Sequence, residues 1–471
     1  MLGYANIFIR LTRLKKRYKI YDMKIVILGV GKVGDSLVKN LTKENHDIVV
    51  VDQNAEIVNK VVNRYDVKGI IGSGIERDVL SNAEVSSANL FIACTSRDEI
   101  NVLTCVLAKK LGAERTVARV RDPELFKEMG NMTDVFGLDL VFNPEYRTAM
   151  EIAQILKFPS AKNVESFANG KALMIEFPIL SGNPIIGKSL VEIAEYGYKI
   201  LFAMIERGDD VIIPRGSTVV QENDNVYIIA TESEMTAFCK KLKIFKPRSK
   251  SVFVVGGGRV CYYLSKELLK SGTSVKIMES DENRCKFLSE ALPKSDVVFS
   301  DATDQQALEE ENIKGADACV VLTGSDETNV IVSLYAVQNK VQKVITKIAN
   351  EKVIDMVENL GLDSVVSPKT VIANHILRYV RATNVFASDV INNLYKLNDK
   401  TEALEFTVNE NFVYSGKKLK ELKLKSNTLI GGVVRGSEFI LPSGETEFNV
   451  GDTVIVVTAK NQISDFLEIF R

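Results

Sequence analysis

Short apolar runs alternate with a helical hydrophobic repeat at the start of the chain. Residues 24–28 and 48–51 are mainly apolar, and Leu37, Val38 and Leu41 between them recur at the spacing of one helix face. Runs of this length predict buried parallel strands, and the repeat predicts a helix that connects them. The pattern therefore indicates a strand–helix–strand unit.

The same alternation continues along the chain and then changes character. A helix is predicted over residues 100–111, and further strands are predicted at residues 67–71, 90–94 and 116–120. Alternating strands and helices are typical of half a doubly wound parallel sheet. After Pro144 the pattern becomes helical and then turns into a small α+β unit, whose predicted strands are residues 172–177, 199–206 and 225–230.

The second half of the chain repeats the first. At a shift of 227 residues the matched pairs are Gly29 and Gly256, Asp52 and Glu279, and Ser73 and Ser300. After a one-residue insertion, at a shift of 228, they are Thr95 and Thr323, and Arg119 and Lys347. A period this long is not that of a solenoid, so it indicates a whole two-domain module present twice.

A glycine-rich turn follows the first predicted strand, and an acid ends the second. The turn is Gly29, Val30, Gly31, Lys32, Val33 and Gly34. Gly29 permits a tight turn, Gly31 lets a pyrophosphate approach the backbone, and Gly34 lets helix and strand pack closely. Asp52 lies 18 residues after Gly34, near the ~20 expected of an acid that accepts the ribose hydroxyls. We therefore predict a nucleotide site; the alternative is a unit that keeps its glycines for packing only.

The predicted fold class is α/β. It is a tandem duplication of a Rossmann-like parallel-sheet domain followed by a small α+β domain. The leader at residues 1–22 mixes basic and apolar side chains. This fits an amphipathic surface helix, although we favour a poorly ordered leader. The predicted boundaries are 23–142 and 247–368 for the Rossmann-like domains, 143–162 and 369–388 for helical linkers, and 163–246 and 389–471 for the α+β domains.

Polar residues at three further strand ends are candidate ligand contacts. Ser73 follows the third strand, Thr95 and Ser96 follow the fourth, and Arg119 ends the fifth. Hydroxyls and amides at the carboxyl end of a strand can bind phosphate or ribose, and a guanidinium can bind phosphate. The alternatives are a simple turn at Ser73, a helix N-cap at Thr95 or Ser96, and a surface salt bridge at Arg119.

The second copy of the motif is less faithful. It reads Gly256, Gly257, Gly258, Arg259, Val260 and Cys261, so that Cys261 replaces the third functional glycine. Glu279 replaces Asp52, and Thr323 and Lys347 keep the hydroxyl and the cation. We expect this site to bind more weakly or to prefer another nucleotide. An acid at the ribose favours NAD(H) over NADP(H), but it does not separate NAD from ATP or ADP, which carry the same diol.

The composition and the absence of catalytic motifs argue against several classes of function. The net charge is −1, so no overall field attracts nucleic acid. The six cysteines contain no CxxC pair and there are two histidines, which makes a zinc site improbable and fits a reducing cytoplasm. No Walker A sequence, catalytic lysine–tyrosine pair or general acid for hydride transfer is evident. We therefore predict a nucleotide sensor and no catalytic residues; an NAD-dependent oxidoreductase is the alternative.

These motifs resemble the TrkA family of Trk-type potassium uptake regulatory subunits. The residues that carry the resemblance are ILGVGKVG (27–34), VVD (50–52), GSG (72–74), CTSRDEIN (94–101) and ARVR (118–121), and, in the second copy, VVGGGRV (254–260), SDATD (300–304) and LTGSDETN (322–329). The resemblance implies two RCK (regulator of potassium conductance) modules, each with a Rossmann-like N-terminal and an α+β C-terminal domain. Cys261 departs from the family pattern, and residues 1–22 have no counterpart in it.

The resemblance also implies two NAD(H)-type sites. The first would comprise Gly29, Val30, Gly31, Lys32, Val33, Gly34, Asp52, Gly72, Ser73, Thr95, Ser96 and Arg119. The second would comprise Gly256, Gly257, Gly258, Arg259, Val260, Glu279, Ser300, Asp301, Thr323 and Lys347.

The implied partner is a membrane K+-translocating subunit of the TrkH/TrkG type. Proteins of this family assemble as homo-oligomers, here a dimer or tetramer, on the cytoplasmic face of the plasma membrane, and nucleotide binding gates the partner. The helices after Pro144 and Pro368 are apolar on one face, and we expect them to pack between modules or subunits; burial within their own domains is the alternative. A soluble NAD or ATP sensor without a membrane partner is a further alternative function.

Overall fold

The structure, a computed structural model, describes most of the two repeated modules. The described residues are 23–244, 248–358, 360–362, 364–383, 391–397, 400–410, 412–459, 463 and 466–471. The leader predicted at residues 1–22 lies outside them.

The first module begins with a six-stranded, fully parallel sheet. Its strands are β1 (Lys24–Leu28), β2 (Asp47–Asp52), β3 (Lys68–Ile71), β4 (Leu90–Ala93), β5 (Arg115–Arg119) and β6 (Leu140–Phe142), in the order β3-β2-β1-β4-β5-β6. The helices between them are α1 (Lys32–Leu41), α2 (Ala55–Tyr65), α3 (Arg77–Asn82), α4 (Asp98–Leu111) and α5 (Pro123–Phe136). Ile25, Val26 and Ile27 of the central strand are fully buried, as expected where helices cover both faces of a parallel sheet.

The first module ends with an antiparallel sheet. After α6 (Pro144–Lys157) come β7 (Asn163–Phe167), β8 (Ala172–Pro178), α7 (Leu190–Ala194), β9 (Leu201–Arg207), β10 (Asp210–Ile212), β11 (Asn225–Ala230) and α8 (Glu232–Lys241). The strand order is β10-β9-β11-β8-β7.

The second module repeats both sheets, which confirms the predicted fold class. Its parallel sheet has the order β14-β13-β12-β15-β16-β17 and its antiparallel sheet the order β18-β19-β22-β20-β21. The parallel-sheet elements are β12 (Ser251–Val255), α9 (Arg259–Lys270), β13 (Ser274–Glu279), α10 (Glu282–Ala291), β14 (Asp296–Phe299), α11 (Gln305–Glu310), β15 (Ala318–Val321), α12 (Asp326–Gln338), β16 (Lys343–Lys347), α13 (Glu351–Glu358) and β17 (Val365–Val366). They are followed by α14 (Pro368–Thr383), β18 (Ile391–Lys396), β19 (Glu402–Thr407), β20 (Thr428–Arg435), β21 (Glu438–Ile440) and β22 (Thr453–Thr458).

The chain divides into two compact units, and neither unit is one contiguous stretch. The first comprises Met1–Phe142, Ala373–Gly436 and Pro442–Arg471, and the second comprises Asn143–Ile372 and Ser437–Leu441. Each unit therefore contains the parallel sheet of one module and strands from the antiparallel sheet of the other.

Helix α6 shows how the second unit is held together. Its apolar face, which includes Ile152 and Leu156, is buried in one cluster with Leu264 and Leu268 of α9. At the start of α6 the Asn143 amide donates to the hydroxyl of a tyrosine on α9, Tyr263 (3.0 Å). The prediction that this helix packs between modules is thus confirmed, and the alternative, burial within its own domain, is wrong.

A buried arginine joins three elements of the first unit. Arg381 on α14 donates through Nε to both carboxylate oxygens of Glu44 (2.9 Å each). Its Nη1 and Nη2 donate to the carboxylate of Glu402 on β19 (3.0 and 3.1 Å). Glu44 ends the 3-10 helix Thr42–Glu44, which directly follows α1. The three side chains are 11%, 13% and 3% exposed, so water screens this ion triad weakly.

Candidate nucleotide sites

The first glycine turn needs glycine at two positions and leaves open space at a third. Gly29 has φ +87°, and a Cβ atom there would lie 2.7 Å from Thr95 N. A Cβ atom at Gly34 would lie 2.1 Å from the carbonyl oxygen of Gly29. At Gly31, by contrast, a Cβ atom would meet nothing within 4 Å. Gly29 and Gly34 therefore serve the fold, and the space over Gly31 is available to a ligand.

Helix α1 begins at this open space without a side-chain cap. Gly31 is its N-cap residue and no side chain accepts the first backbone N–H groups, whereas Asn54 and Asp122 cap α2 and α5. Lys32 is exposed and Val33 is half-buried in the first turn. Uncapped N–H groups at a helix N-terminus favour an anion. The end of α1 therefore has the chemistry that a pyrophosphate requires.

The carboxylate of Asp52 is fixed beside the turn. Its Oδ2 accepts the N–H of Val30 (2.9 Å) and its Oδ1 accepts the N–H of Asn54 (3.0 Å). The Gly72 N–H donates to the Asp52 carbonyl oxygen (3.0 Å), which brings the start of the Gly72–Ser73 turn to the same edge of the sheet. A carboxylate oxygen has a second lone pair, so Asp52 can still accept ribose hydroxyls.

An asparagine that the motif analysis missed holds the neighbouring strand ends together. The Asn101 side-chain oxygen accepts the N–H of Thr95 (2.8 Å) and its hydroxyl (2.7 Å), and the Asn101 amide donates to the Arg119 carbonyl oxygen (2.9 Å). Asn101 is fully buried. The signal that could have identified it is its recurrence as Asn329 in the second copy, where it bonds Thr323 and Lys347 in the same way.

The alternative that Thr95 or Ser96 caps the next helix is wrong. The N-cap residue of α4 is Arg97, and it makes no side-chain cap bond. The Thr95 hydroxyl instead bonds to Asn101, and the carbonyl oxygen of Ser96 accepts a bond from the Arg121 guanidinium. Both residues lie at the carboxyl end of β4, beside the glycine turn.

Arg119 is half-buried at the end of β5 and lies near a thiol under the glycine turn. Cys94 donates to the Gly29 carbonyl oxygen (3.0 Å). Burial raises the pKa of Cys94, and the charge of Arg119 partly opposes that shift. The cation is therefore close to the turn. It lies on β5, so it approaches the turn from the opposite side of β1 to Asp52, which lies on β2.

The second glycine turn repeats this geometry. Gly256 has φ +94°, and a Cβ atom there would lie 2.9 Å from Thr323 N. Gly258 is the uncapped N-cap residue of α9 and has nothing within 4 Å of a Cβ position. Glu279 accepts the N–H of Gly257 through Oε2 (2.6 Å) and the N–H groups of the next two residues through Oε1. Cys261, in place of the third glycine, is fully buried.

The other predicted residues of the second site also lie at strand ends. The Asp301 carboxylate accepts the N–H and hydroxyl of Thr303 (2.9 Å each), and these bonds lower the pKa of Asp301. The Lys347 ammonium donates to the carbonyl oxygen of Leu322 (2.9 Å), at the end of β15. Arg259 and Val260 form the first turn of α9.

The predicted alignment of Ser73 with Ser300 is wrong. Ser300 donates its N–H to the Glu279 carbonyl oxygen, as Gly72 does to the Asp52 carbonyl oxygen. Ser300 is therefore equivalent to Gly72, and Asp301 to Ser73. The physical reason is the longer connection between α10 and β14, which places the one-residue insertion before the turn.

Both modules of the chain match known protein-family models. The TrkA-N domain model matches residues 25–144 and 252–368, and the TrkA-C domain model matches residues 174–243 and 403–471. The chain belongs to the TrkA family. It is 32% identical over 451 residues to a Trk system potassium uptake protein TrkA homolog of Archaeoglobus fulgidus, covering 95% of this chain and 100% of that one. It is also 32% identical over 457 residues to TrkA of Halomonas elongata, covering 95% and 99%.

Solved structures share the fold of this family member. The GsuK RCK domain superposes with a TM-score of 0.62 at 20% identity, covering 95% of this chain and 97% of that one. The GsuK channel bound to NAD superposes with a TM-score of 0.61 at 21% identity, covering 99% and 84%.

The described residues contain neither a membrane-spanning helix nor a cluster of metal ligands. No helix among them is both long and apolar enough to cross a bilayer. They also contain no cluster of three or more His, Cys, Asp or Glu side chains placed to hold a metal ion.

The thiols of this TrkA family member are expected to be unreactive while it is folded. All six cysteines are buried, and burial raises the pKa of Cys94, Cys239, Cys261 and Cys319 to about 12. Only about one such thiol in ten thousand is ionised at pH 8, and the thiolate is the nucleophile. Iodoacetamide at pH 8, read out by mass, should modify the chain in urea but not the native protein. Rapid modification of the folded chain would contradict this.

Proposed function

We propose that the chain is a nucleotide-binding regulatory subunit of a Trk-type potassium uptake system, and not an enzyme. One observation carries the proposal. Each parallel-sheet domain has an uncapped helix N-terminus behind an open glycine, Gly31 or Gly258, and a carboxylate fixed beside it, Asp52 or Glu279. This arrangement fits the pyrophosphate and ribose of an adenosine nucleotide.

The proposed ligand of the first site is NAD(H), with ATP or ADP as further ligands of the pair of sites. The ligand contacts proposed are the residues predicted from the sequence. In the first site the backbone of 29–34 and the Asp52 carboxylate would hold pyrophosphate and ribose, and Thr95, Ser96 and Arg119 would face the distal half. The NAD-bound GsuK channel, which has the same fold, is consistent with this ligand.

The proposed action on potassium uptake is a shift between conformations. Nucleotide binding can shift an equilibrium only by its differential affinity for two states. We propose that a homo-oligomer, a dimer or tetramer, docks on the cytoplasmic side of a membrane K+-translocating subunit of the TrkH/TrkG type. Membership of the TrkA family supports a role in potassium uptake. The domain boundaries predicted from the sequence are proposed with it.

Asp52→Asn is expected to weaken NADH binding at the first site about tenfold or more, because a bond to a charged acceptor contributes about 1.5–3 kcal/mol. Asp47→Asn is the matched control, since Asp47 lies at the opposite end of β2 and is 59% exposed. Calorimetric titration of both variants measures the affinities. Equal affinity of Asp52→Asn and the control would contradict the proposed site.

The regulatory role has its own test. Potassium flux into vesicles that contain the membrane subunit should respond to NADH when the unmodified chain or Asp47→Asn is added. The response should shift to higher NADH concentration with Asp52→Asn. Nucleotide binding without any change in flux would leave the site intact and disprove the regulatory role.

A further inference from the structure

An arginine with unused donors lies at the second glycine turn. Arg284 on α10 donates through Nε to the Gly257 carbonyl oxygen (2.5 Å), and its guanidinium lies 4.5 Å from the centroid of the Phe287 ring. Within the described part of the chain its two terminal nitrogens make no hydrogen bond. The side chain is half-buried. The turn and the ring thus hold the guanidinium in place while most of its donors are available.

A second cation and a helix N-terminus lie near Arg284. Burial lowers the pKa of Arg284, and the neighbouring charge of Arg259 lowers it further. The nearby carboxylates of Glu279 and Asp281 oppose this shift and raise the pKa through space, but neither forms a hydrogen bond with the guanidinium, which can still bind an anion. Arg259 is the exposed first residue of α9, whose N-terminus is uncapped. Two cations and a helix N-terminus that lie together are stabilised by a bound anion.

The first site lacks this guanidinium. Asn54 and Asp281 are the equivalent N-cap residues of α2 and α10. The residue three positions after the cap is Ile57 in the first copy and Arg284 in the second. The two sites therefore share an open glycine and a carboxylate beside it, and one difference between them is a fixed cation near that carboxylate.

A second difference lies on the same side of the site. Phe299 ends β14 next to Glu279 in the sheet and is 61% exposed. Its equivalent, Ile71, ends β3 next to Asp52 and is 53% exposed. An exposed aromatic ring beside the ribose acid offers a stacking surface to a base. The second site thus offers an aromatic and a cationic contact to the adenosine half of a ligand.

We propose that Arg284 makes the second site selective for an adenosine nucleotide that carries a phosphate group beyond those of NAD. The inference rests on the proposed function and assigns a ligand preference to one of its sites. Glu279 places the ribose near Arg284, and a planar guanidinium binds a phosphate through two parallel hydrogen bonds. The extra phosphate can be the γ-phosphate of ATP or, where the guanidinium outweighs the repulsion from the Glu279 carboxylate, the 2′-phosphate of NADPH.

The test uses the full chain with Gly31→Val, which fills the open space of the first site. NADH, ADP, ATP and NADPH are titrated in a calorimeter. In this background we expect ATP or NADPH to bind about tenfold or more tightly than NADH and ADP, which carry the same two phosphates; a tenfold gain is typical of a charge-assisted bond. Arg284→Ile, which copies Ile57, should remove that advantage and leave NADH affinity within about twofold. Whether NADPH or ATP loses affinity in Arg284→Ile identifies the source of the phosphate.

The reciprocal substitution, which introduces the arginine into the first site, tests the same selectivity independently. Ile57→Arg in a chain with Gly258→Val should raise the affinity of the first site for the same nucleotide. An unchanged urea midpoint shows that each variant is folded. If Arg284→Ile weakens every nucleotide equally, or none, the selectivity proposed for Arg284 is wrong. If the unmodified chain binds no nucleotide at all, the proposed function itself fails, which is a different result.

Discussion

We expect Gly31→Ala to weaken nucleotide binding at the first site strongly while the fold survives, and Gly34→Ala to destabilise the fold itself. A Cβ atom at Gly31 has nothing within 4 Å, and its φ of −65° suits alanine. The unfolding free energy should therefore change by about 1 kcal/mol or less, as for an N-cap substitution. Because the methyl group takes the place of the phosphate, affinity for NADH should fall about a hundredfold.

The expectation for Gly34→Ala has a different cause. Its Cβ atom would lie 2.1 Å from the Gly29 carbonyl oxygen, so α1 must move away from β1. Overpacking of this kind costs about 1–3 kcal/mol. Urea unfolding measures the stability of both variants, and calorimetry measures binding. Gly258→Ala is the matched control, since it fills the second site only. Unchanged first-site affinity in Gly31→Ala would show that no phosphate lies over this turn.

Arg381→Met is expected to destabilise the first unit by about 3–5 kcal/mol, the cost of breaking a buried ion pair. Burial lowers the pKa of Arg381, but the bonds to Glu44 and Glu402 outweigh it, so the pKa is raised overall. The guanidinium is thus charged at every accessible pH. Its removal leaves two buried carboxylates without their cation, because methionine fills the volume but donates no bond.

Arg378→Met is the matched control for this prediction. Arg378 lies one turn earlier on α14 and contacts the ring of Tyr395 at 4.5 Å, a contact that contributes about 0.5–1 kcal/mol. Adding Glu44→Gln and Glu402→Gln to Arg381→Met should restore much of the lost stability, because no unpaired charge remains. Urea unfolding decides between these outcomes. Equal loss in Arg378→Met and Arg381→Met would contradict the energetic role of the ion triad.

Local features of this chain were predictable because they depend on short-range patterns. Strand β1 and the fixed carboxylate of Asp52 follow from an apolar run and its spacing from the glycines. The buried Asn101 was missed because a polar residue in a helix is usually on its exposed face. The position of the insertion before Ser300 was missed because strand register depends on a connection whose path the residues do not reveal.

Contacts between residues far apart in the chain could not be predicted from local sequence patterns. Arg381 has the pattern of an ordinary cation in the last turn of a helix, yet it is buried between Glu44 and Glu402. Those partners are 337 and 21 residues away in the chain. Hydrophobic periodicity reports which face of an element is buried, but it does not report what covers that face.

The discontinuous first unit has a consequence for biosynthesis. Phe142 and Ala373, which belong to the same unit, emerge from the ribosome far apart in time. At roughly 5–20 residues per second, translation of the intervening segment takes on the order of 10–50 seconds. Throughout that interval the nascent N-terminal domain lacks Arg381, so Glu44 is without its partner in the ion triad. We expect a chaperone that binds the nascent N-terminal domain to act during this interval. A chain truncated before Ala373 would keep this domain without the rest of its unit.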